Sequence, residues 1–156
     1  MKAANFIINN AERTPDASEE KMRSTLAQAH FWRAYAYYCL VQTWGKGPIM
    51  LEEEINYEAQ LNSVEEMYDL IIEDLKIAEA GTPIRYTDEP YGRNGVNYAA
   101  SQGAVKAMMA YICMSMAGWP LNRGVEYYQL AAAKAKEVID GSENGTYYYS
   151  LYLTKF

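Results

Sequence analysis

The chain has 156 residues, of which 50% are hydrophobic and 22% charged, a composition typical of a folded globular protein. The 14 Lys and Arg residues against 20 Asp and Glu residues give a net charge of -6, which disfavours binding of nucleic acid through its phosphates. One His and two Cys residues exclude a multi-histidine metal site and a disulfide-built scaffold. The most apolar stretch, 104–117, is shorter than the roughly 20 residues of a membrane span.

The first third of the sequence predicts two helices. The first is short and covers about 4–12, and the second runs from about 18 to 44. Apolar positions recur in the second helix every three or four residues, a spacing typical of one buried face. The predicted stripe is Met22, Leu26, Ala29, Arg33, Ala36, Leu40 and Thr43, in which Arg33 and Thr43 are the polar members. Gly45 is expected to end this helix, and Pro48 prevents an immediate restart.

The third helix is predicted to begin at a capping box. Ser63 is the N-cap and Glu66 follows three residues later, so each side chain can bond a backbone amide that the helix leaves unpaired. Gly81 is expected to close the helix. Its predicted buried stripe is Val64, Tyr68, Ile71, Leu75 and Ala78. The stretch 82–97 that follows carries two Pro and two Gly residues and predicts a long loop.

Two more helices are predicted in the last third, over about 101–117 and 125–140, with Gly141 closing the second. The helix over 101–117 is apolar on nearly every side, so neighbours are expected to cover it all round. The tail 147–156 is aromatic and alternating and predicts a strand or extended segment that pairs outside this chain. A seven-residue turn joins the last two helices into an antiparallel hairpin, and alanines at three- and four-residue spacing on both indicate tetratricopeptide-like packing. The predicted fold is all-α, with tetratricopeptide-like antiparallel helix pairs.

Few residues have the spacing that catalysis or metal binding requires. The sequence lacks a nucleophile elbow, a phosphate loop and a metal-ligand cluster, so no catalytic residue, metal site or cofactor is predicted. His30 is interpreted as packed or solvated, and Cys39 and Cys113 as small packing residues. Residues 47–92 hold 12 acids and 2 bases. We interpret this acidic belt as solvated surface; the alternatives are a docking face for a basic partner or a cation site at 52–54.

Arg33 is the most informative charged residue, because it falls on the apolar stripe of the second helix. A buried guanidinium needs an anionic or carbonyl partner. We therefore predict a structural ion pair with an acid of the third helix: Asp69, Glu73 or Asp74.

Aromatic side chains in or beside loops are the remaining candidates for function. They are Tyr57, Tyr86, Tyr91, Tyr98 and Trp119. Flat aromatic rings can stack on the apolar faces of sugar rings, and binding groups collect on loops. The alternative for each is ordinary packing.

Four stretches, in this order, resemble the SusD/RagB family of cell-surface nutrient-binding lipoproteins. They are 28–49, with its Phe-Trp-Arg-Ala run and its Trp-Gly turn before a Pro; 67–80; Gly92-Arg93 with 101–117; and 127–140 with Tyr149 and Leu151. Residues 3–7 resemble the upstream helix of the same family. Gln28 and Trp32 depart from the usual Glu and Leu, and the first departure leaves open which acid pairs with Arg33.

The resemblance implies a single SusD-like helical domain over 1–156, with Arg33, Trp44, Gly45 and Pro48 as structural residues. It implies a non-catalytic protein at the outer membrane that binds oligosaccharide or peptide alongside a SusC-like TonB-dependent transporter. Family members are much longer and carry a signal peptide and a lipidated Cys, so a fragment is expected here. The alternative is a free-standing helical-repeat adaptor that binds a protein.

A nutrient contact, if this part of the family fold has one, is predicted in the loop 82–97. Tyr86 and Tyr91 would present flat rings, and Arg93 would donate hydrogen bonds to sugar hydroxyls. The competing interpretation is that these residues brace the loop, or that Arg93 pairs with the acidic belt.

Overall fold

The computed structural model describes residues 1–14, 17–85, 99–147 and 149. This part of the chain contains five α-helices: α1 (Lys2–Asn10), α2 (Glu19–Trp44), α3 (Val64–Gly81), α4 (Gln102–Ala117) and α5 (Val125–Glu143). A short 3-10 turn, Ala11–Arg13, follows α1. The predicted all-α fold is confirmed: the described residues pair in β fashion only at one isolated bridge, between Gly47 and Asn62.

Consecutive helices from α2 to α5 run antiparallel. The end of α3 lies on the start of α2, because Gly81 contacts Ala27 and the backbone of Arg23. The α4–α5 turn bonds back onto the end of α4, since the amide of Gly124 donates to the carbonyl of Ala117. Helices separated by one other helix in the chain therefore run parallel, as α2 and α4 do. This is the arrangement that the predicted tetratricopeptide-like pairs require.

One hydrophobic core lies between α2, α3 and α4. Its fully buried members are mostly large side chains that pack in from all three helices. They include Tyr37, Met67, Tyr68, Ile71, Leu75, Val105, Ile112 and Met116. Burying an aliphatic or aromatic side chain contributes about 1.5–3 kcal/mol, so this cluster is the main favourable term in folding.

The predicted ends of α2 and α3 are confirmed. Ser18 caps α2, and the amide of Gly45 closes its last turn onto the carbonyl of Val41. Gly45 has a φ of +72°, in the left-handed region that a side chain disfavours, which explains a glycine there. At the start of α3, Ser63 and Glu66 form both bonds of the predicted capping box. These ends were predictable because a cap depends only on residues within one turn.

The buried face of α2 is rotated from the predicted stripe. Ala29 and Arg33 are buried as expected, but Thr43 is exposed. The most buried positions run instead through Ala27, Ala34, Tyr37 and Val41. The reason is that α2 packs against α1, α3 and α4, so its buried face is wider than one stripe and centred toward α3.

Two predictions about the last helices are wrong. Gly141 does not close α5, which continues to Glu143. A Cβ at Gly141 would lie 2.4 Å from the Tyr147 ring, so this glycine admits a buried aromatic side chain instead. Tyr147 is accordingly buried within this chain, which corrects the outward pairing expected for the start of the tail. The rest of the tail, 148 and 150–156, lies outside the described residues.

The described neighbours do not cover α4 all round either. Its side toward α3 and α5 is buried, but Ala107, Tyr111 and Met114 are exposed. They form an uncovered strip along the helix, spaced by four and three residues. This exposed strip becomes part of the surface described below.

Candidate ligand-binding surface

The predicted ligand residues Tyr86, Tyr91 and Arg93 lie outside the described residues, as does Tyr98. Their placement remains a prediction. The two other loop aromatics are described, and both are exposed: Tyr57 by 91% and Trp119 by 86%. The structure therefore supplies two accessible loop rings, and neither contacts another aromatic ring among the residues that the structure describes.

Trp44 was predicted to be structural, but it is 78% exposed. It is the last residue of α2, and α3 begins only at Val64, so no described element covers it. Cys39 is likewise exposed, not packed as expected, whereas Cys113 is buried. The partly buried Pro48 and the left-handed Gly45 form the expected turn.

Exposed aromatic side chains of α2 and α4 lie on either side of the buried Tyr38, and we refer to this surface as the α2–α4 face. Its members are Trp32, Tyr35, Tyr38 and Gln42 from α2, and Tyr111, Met114 and Ser115 from α4. The rings of Trp32 and Tyr35 meet at 88° with centroids 5.9 Å apart. The rings of Tyr38 and Tyr111 meet at 78°, also at 5.9 Å, and join the two helices. Such edge-to-face pairs hold the rings in fixed orientations.

The floor of this face is polar. The Tyr38 hydroxyl lies 3.3 Å from Ser115 Oγ, and Gln42 Nε2 donates to the Tyr68 hydroxyl at 2.6 Å. Burial raises the pKa of Tyr38 to about 12 and also raises the pKa of Tyr68. Both phenols therefore stay protonated at neutral pH. The Tyr38 hydroxyl donates to Ser115 Oγ, because the proton of Ser115 goes to the Tyr111 carbonyl.

The α2–α4 face carries no charged side chain. Between Ser24 and Trp44 the only charged residue is Arg33, and in α4 it is Lys106. Arg33 turns inward to Asp74, and Lys106 turns to Glu137 on the α5 side, 2.7 Å away. Within the described helices α2 and α4, the exposed aromatic surface is thus neutral, in a protein of net charge -6.

Beneath the opposite side of α2 lies a buried cluster of polar groups centred on Asp74. Arg33 donates from Nε and Nη2 to the two oxygens of this carboxylate, each at 2.8 Å. His30 Nδ1 lies 2.7 Å from the same carboxylate and must be the donor, because an ionised carboxylate only accepts. The prediction that Arg33 is buried and paired with an acid of α3 is confirmed, with Asp74 as the partner.

Asp74 is held in its ionised form. Burial alone would raise the pKa of this carboxyl group, but the hydrogen bonds from Arg33 and His30 outweigh it and set the pKa below its usual value. Asn5 of α1 extends the cluster, since its Oδ1 accepts from Arg33 and its Nδ2 donates to the Met50 carbonyl at 2.8 Å. The cluster therefore ties three helices and the segment after α2 together.

The sequence did not single out His30 and Asn5 as members of this cluster. A signal was present for His30, because it lies three residues before Arg33 on one side of the same helix. None was present for Asn5, because α1 contacts α2 only through tertiary packing. The side chains of the cluster are buried among helices, so we interpret it as structural.

Basic side chains from other segments partly neutralise the acidic belt. Glu65 pairs with Arg123, and Glu79 accepts from Lys134 at 2.8 Å. Among the residues that the structure describes, no group of His, Cys, Asp and Glu could hold a metal ion, the acids at 52–54 included. Nor is any described helix long and apolar enough to cross a membrane.

The same fold occurs in known proteins. A model of the SusD-like family, described as starch-binding and associating with the outer membrane, matches residues 1–114. That match covers more than half of the chain. The chain belongs to the SusD-like family. Family membership confirms the resemblance drawn from the residues, and it accounts for the tetratricopeptide-like helix pairs.

Individual SusD-like proteins are similar but longer. One from Formosa agariphila is 29% identical over 129 residues, which are 79% of this chain and 23% of the relative. A SusD superfamily protein from Parabacteroides distasonis has a similar structure, with a TM-score of 0.78 and 28% identity over 91% of this chain and 29% of its own. A third structure, solved with xylogluco-oligosaccharide, has a TM-score of 0.68 and 28% sequence identity. The match covers 90% of this chain and 27% of that chain. The chain thus spans less than a third of each relative.

Proposed function

We propose that this chain serves in a non-catalytic protein that captures oligosaccharide or peptide nutrient at the cell surface. The observation that carries the proposal is the family match over residues 1–114, with its starch-binding, outer-membrane description. The relative solved with xylogluco-oligosaccharide makes a neutral plant-type glycan the first ligand to test. Exposed aromatic side chains, which stack well on sugar rings, are consistent with it.

The proposed partner is a SusC-like TonB-dependent transporter in the outer membrane. The support for this is the family alone, since members associate with that membrane. We expect the helical pairs to act as the scaffold and to meet the transporter. Co-purification of the two proteins from one membrane extract tests the partnership, and a transporter that purifies without any bound chain would contradict it.

The proposed nutrient contact remains at Tyr86 and Tyr91, with Arg93 as a donor. Two rings on a Pro- and Gly-rich loop can stack on a sugar, and a guanidinium offers several donors in a fixed fork. One or two stacked rings contribute only a few kcal/mol before the cost of ordering the sugar. We therefore expect roughly millimolar affinity, about -4 kcal/mol.

Calorimetric titration of xyloglucan oligosaccharides into the wild type, Tyr86→Ala and Tyr91→Ala tests the loop. Binding that weakens in both variants supports it. Tyr57→Ala is the matched control, since Tyr57 is an exposed tyrosine in a different segment. Unchanged affinity in both loop variants would remove these tyrosines from the site.

A second candidate, a helical-repeat adaptor for a protein partner, is favoured by one observation. The outer side of α5 exposes Val125, Tyr128 and Ile139, at spacings of three and eleven residues that lie on one helical face. Exposed apolar patches of this kind mark protein contacts. A chain that binds no glycan but loses a protein partner on Tyr128→Lys would favour this alternative.

A further inference from the structure

We infer that the α2–α4 face is a second carbohydrate subsite, and that it takes an uncharged oligosaccharide. This inference rests on the proposed glycan-binding function and specifies the chemical class of the ligand. It concerns the helical surface around Trp32, Tyr35 and Tyr111, a different part of the chain from the loop 82–97. Three properties of that surface support it: its rings, its polar floor and its lack of charge.

The rings are accessible and fixed. Trp32 is 48% exposed, Tyr35 46% and Tyr111 56%, although each lies on a helix that buries its other side. Phe31 braces Trp32 edge-on at 5.2 Å, and Tyr38 braces Tyr111. Rings that are already ordered lose little conformational entropy when a ligand stacks on them. Trp32 and Tyr35, which are both exposed and perpendicular, also form a corner in which one ring can lie under a sugar and the other along its edge.

The polar floor supplies hydrogen-bonding groups for sugar hydroxyls. The accessible polar groups are the hydroxyl of the partly buried Ser115 and the amide of the exposed Gln42, whereas Tyr38 is buried. Ser115 Oγ donates to the Tyr111 carbonyl and accepts from the Tyr38 hydroxyl, which leaves it one acceptor position for a ligand. The Gln42 amide has a second N–H beyond the one that it donates to Tyr68, and its carbonyl oxygen can accept. This combination distinguishes the face from the outer side of α5, where the exposed stripe of Val125, Tyr128 and Ile139 is mainly apolar.

The absence of charge selects the class of ligand. Phosphate, sulfate or uronic acid groups would need a Lys or Arg side chain, and the α2–α4 face has neither. A basic ligand would find no carboxylate there. Solvated helix faces are ordinarily rich in charge, as α3 and α5 are, so a neutral aromatic face spanning two helices is not explained by solvent contact. Neutral sugars match it in both ring stacking and hydrogen bonding.

The experiment titrates neutral xyloglucan oligosaccharides and anionic oligogalacturonates into the chain, with intrinsic fluorescence and calorimetry as readouts. The variants are Trp32→Ala and Tyr111→Ala. Trp32→Phe retains a ring, and Tyr128→Ala is the matched control on α5. We expect each alanine variant on the face to weaken neutral-glycan binding about 5- to 10-fold, as loss of one stacked ring should. The phenylalanine and control variants should bind like the wild type.

Several results would overturn the inference, and they differ from failure of the proposed function. Binding that is lost only in Tyr86→Ala and Tyr91→Ala would keep glycan capture and reject the subsite. Equal affinity for the anionic glycan would reject its neutral specificity. Light scattering that shows a dimer, dissolved by Trp32→Ala, would make the face a contact between two copies. No binding of any glycan by the wild type at roughly millimolar concentrations would reject the proposed function itself.

Discussion

Two clusters of charged side chains connect the helices, and they differ in their exposure to solvent. The first, around Asp74, joins α1, α2 and α3, and its side chains are almost fully buried. The second joins α3, α4 and α5 through Glu79, Lys106, Lys134 and Glu137, whose side chains are between 16% and 41% exposed. Both clusters satisfy their charges, but only the first leaves a charge without solvent when one partner is removed.

This difference predicts where the fold is sensitive. A buried ion pair gains little over a well-packed apolar pair, yet breaking it on one side is costly. A half-exposed pair loses a modest attraction, and water replaces the missing partner. The first cluster should therefore behave as a single unit, whereas members of the second should act almost independently.

The largest effect is expected for Arg33→Ala. It leaves the Asp74 carboxylate buried without its bidentate partner, so we expect a loss of about 3–5 kcal/mol in the free energy of unfolding. Urea denaturation measures it. In a double-mutant cycle with Asp74→Asn, the double variant should lose much less than the two single losses combined. Additive losses would contradict a coupled cluster.

The pH dependence of stability tests the same cluster. Because the pKa of Asp74 in the folded state lies below its usual value, the cluster stabilises the fold above about pH 4, where an unfolded Asp is ionised. That contribution is lost as the pH falls through the folded-state pKa. The stability gap between wild type and Asp74→Asn, measured by urea unfolding, should narrow from pH 7 to pH 3. A gap of constant size would be evidence that Asp74 does not titrate as described.

Gly141→Ala should have an intermediate effect on stability. It tests the packing of Tyr147 against α5, which adds to the ion pairs of the second cluster. Alanine is a better helix former than glycine by up to about 1 kcal/mol. Its Cβ would, however, meet the Tyr147 ring at 2.4 Å, and that ring is buried and tied by its hydroxyl to Gln102 at 2.8 Å. We expect a net loss of roughly 1–3 kcal/mol in thermal or urea unfolding. In a Tyr147→Ala background the same change should become neutral or stabilising.

Lys134→Ala should have a small effect. Lys134 donates to Glu79 at 2.8 Å, but both side chains reach water, so we expect a loss of about 0.5–1 kcal/mol. The loss should shrink further in high salt, because exposed charges are screened. Lys136→Ala, at a well-exposed pair with Asp140 on the same helix, is the matched control and should change stability less. A loss as large as that of Arg33→Ala would remove the distinction between the two clusters.

The sequence predicted what depends on local order. Caps, the turn at Gly45 and the stripe of α3 each follow from residues within one or two turns. The sequence also held the information needed to choose among the three candidate acids. Asp74 lies three residues after Ile71 and four before Ala78, and so falls on the buried stripe of α3. Asp69 and Glu73 lie off that stripe. Reading the acid positions against that stripe would have identified the partner of Arg33.

What the sequence could not predict depends on contacts between distant segments. A glycine near a helix end reads as a cap, and nothing local shows that the Tyr147 ring will lie on Gly141. The exposed side of α4 was missed for a similar reason, since apolar residues on every side predict neighbours on every side. The α2–α4 face becomes visible only when two parallel helices bring Tyr38 and Tyr111 together.

The segment after α2 is fixed in an unusual way. Tyr37 bonds both the amide and the carbonyl of Met50, and Asn5 bonds the carbonyls of Met50 and Glu52. All four bonds end on main-chain atoms, which almost any residue supplies. The anchoring of this segment therefore does not depend on the side chains of residues 50 and 52. Residues at 50 and 52 can be exchanged to present different chemistry at the surface while the path of the chain stays the same, which makes this segment a natural place to vary or engineer specificity.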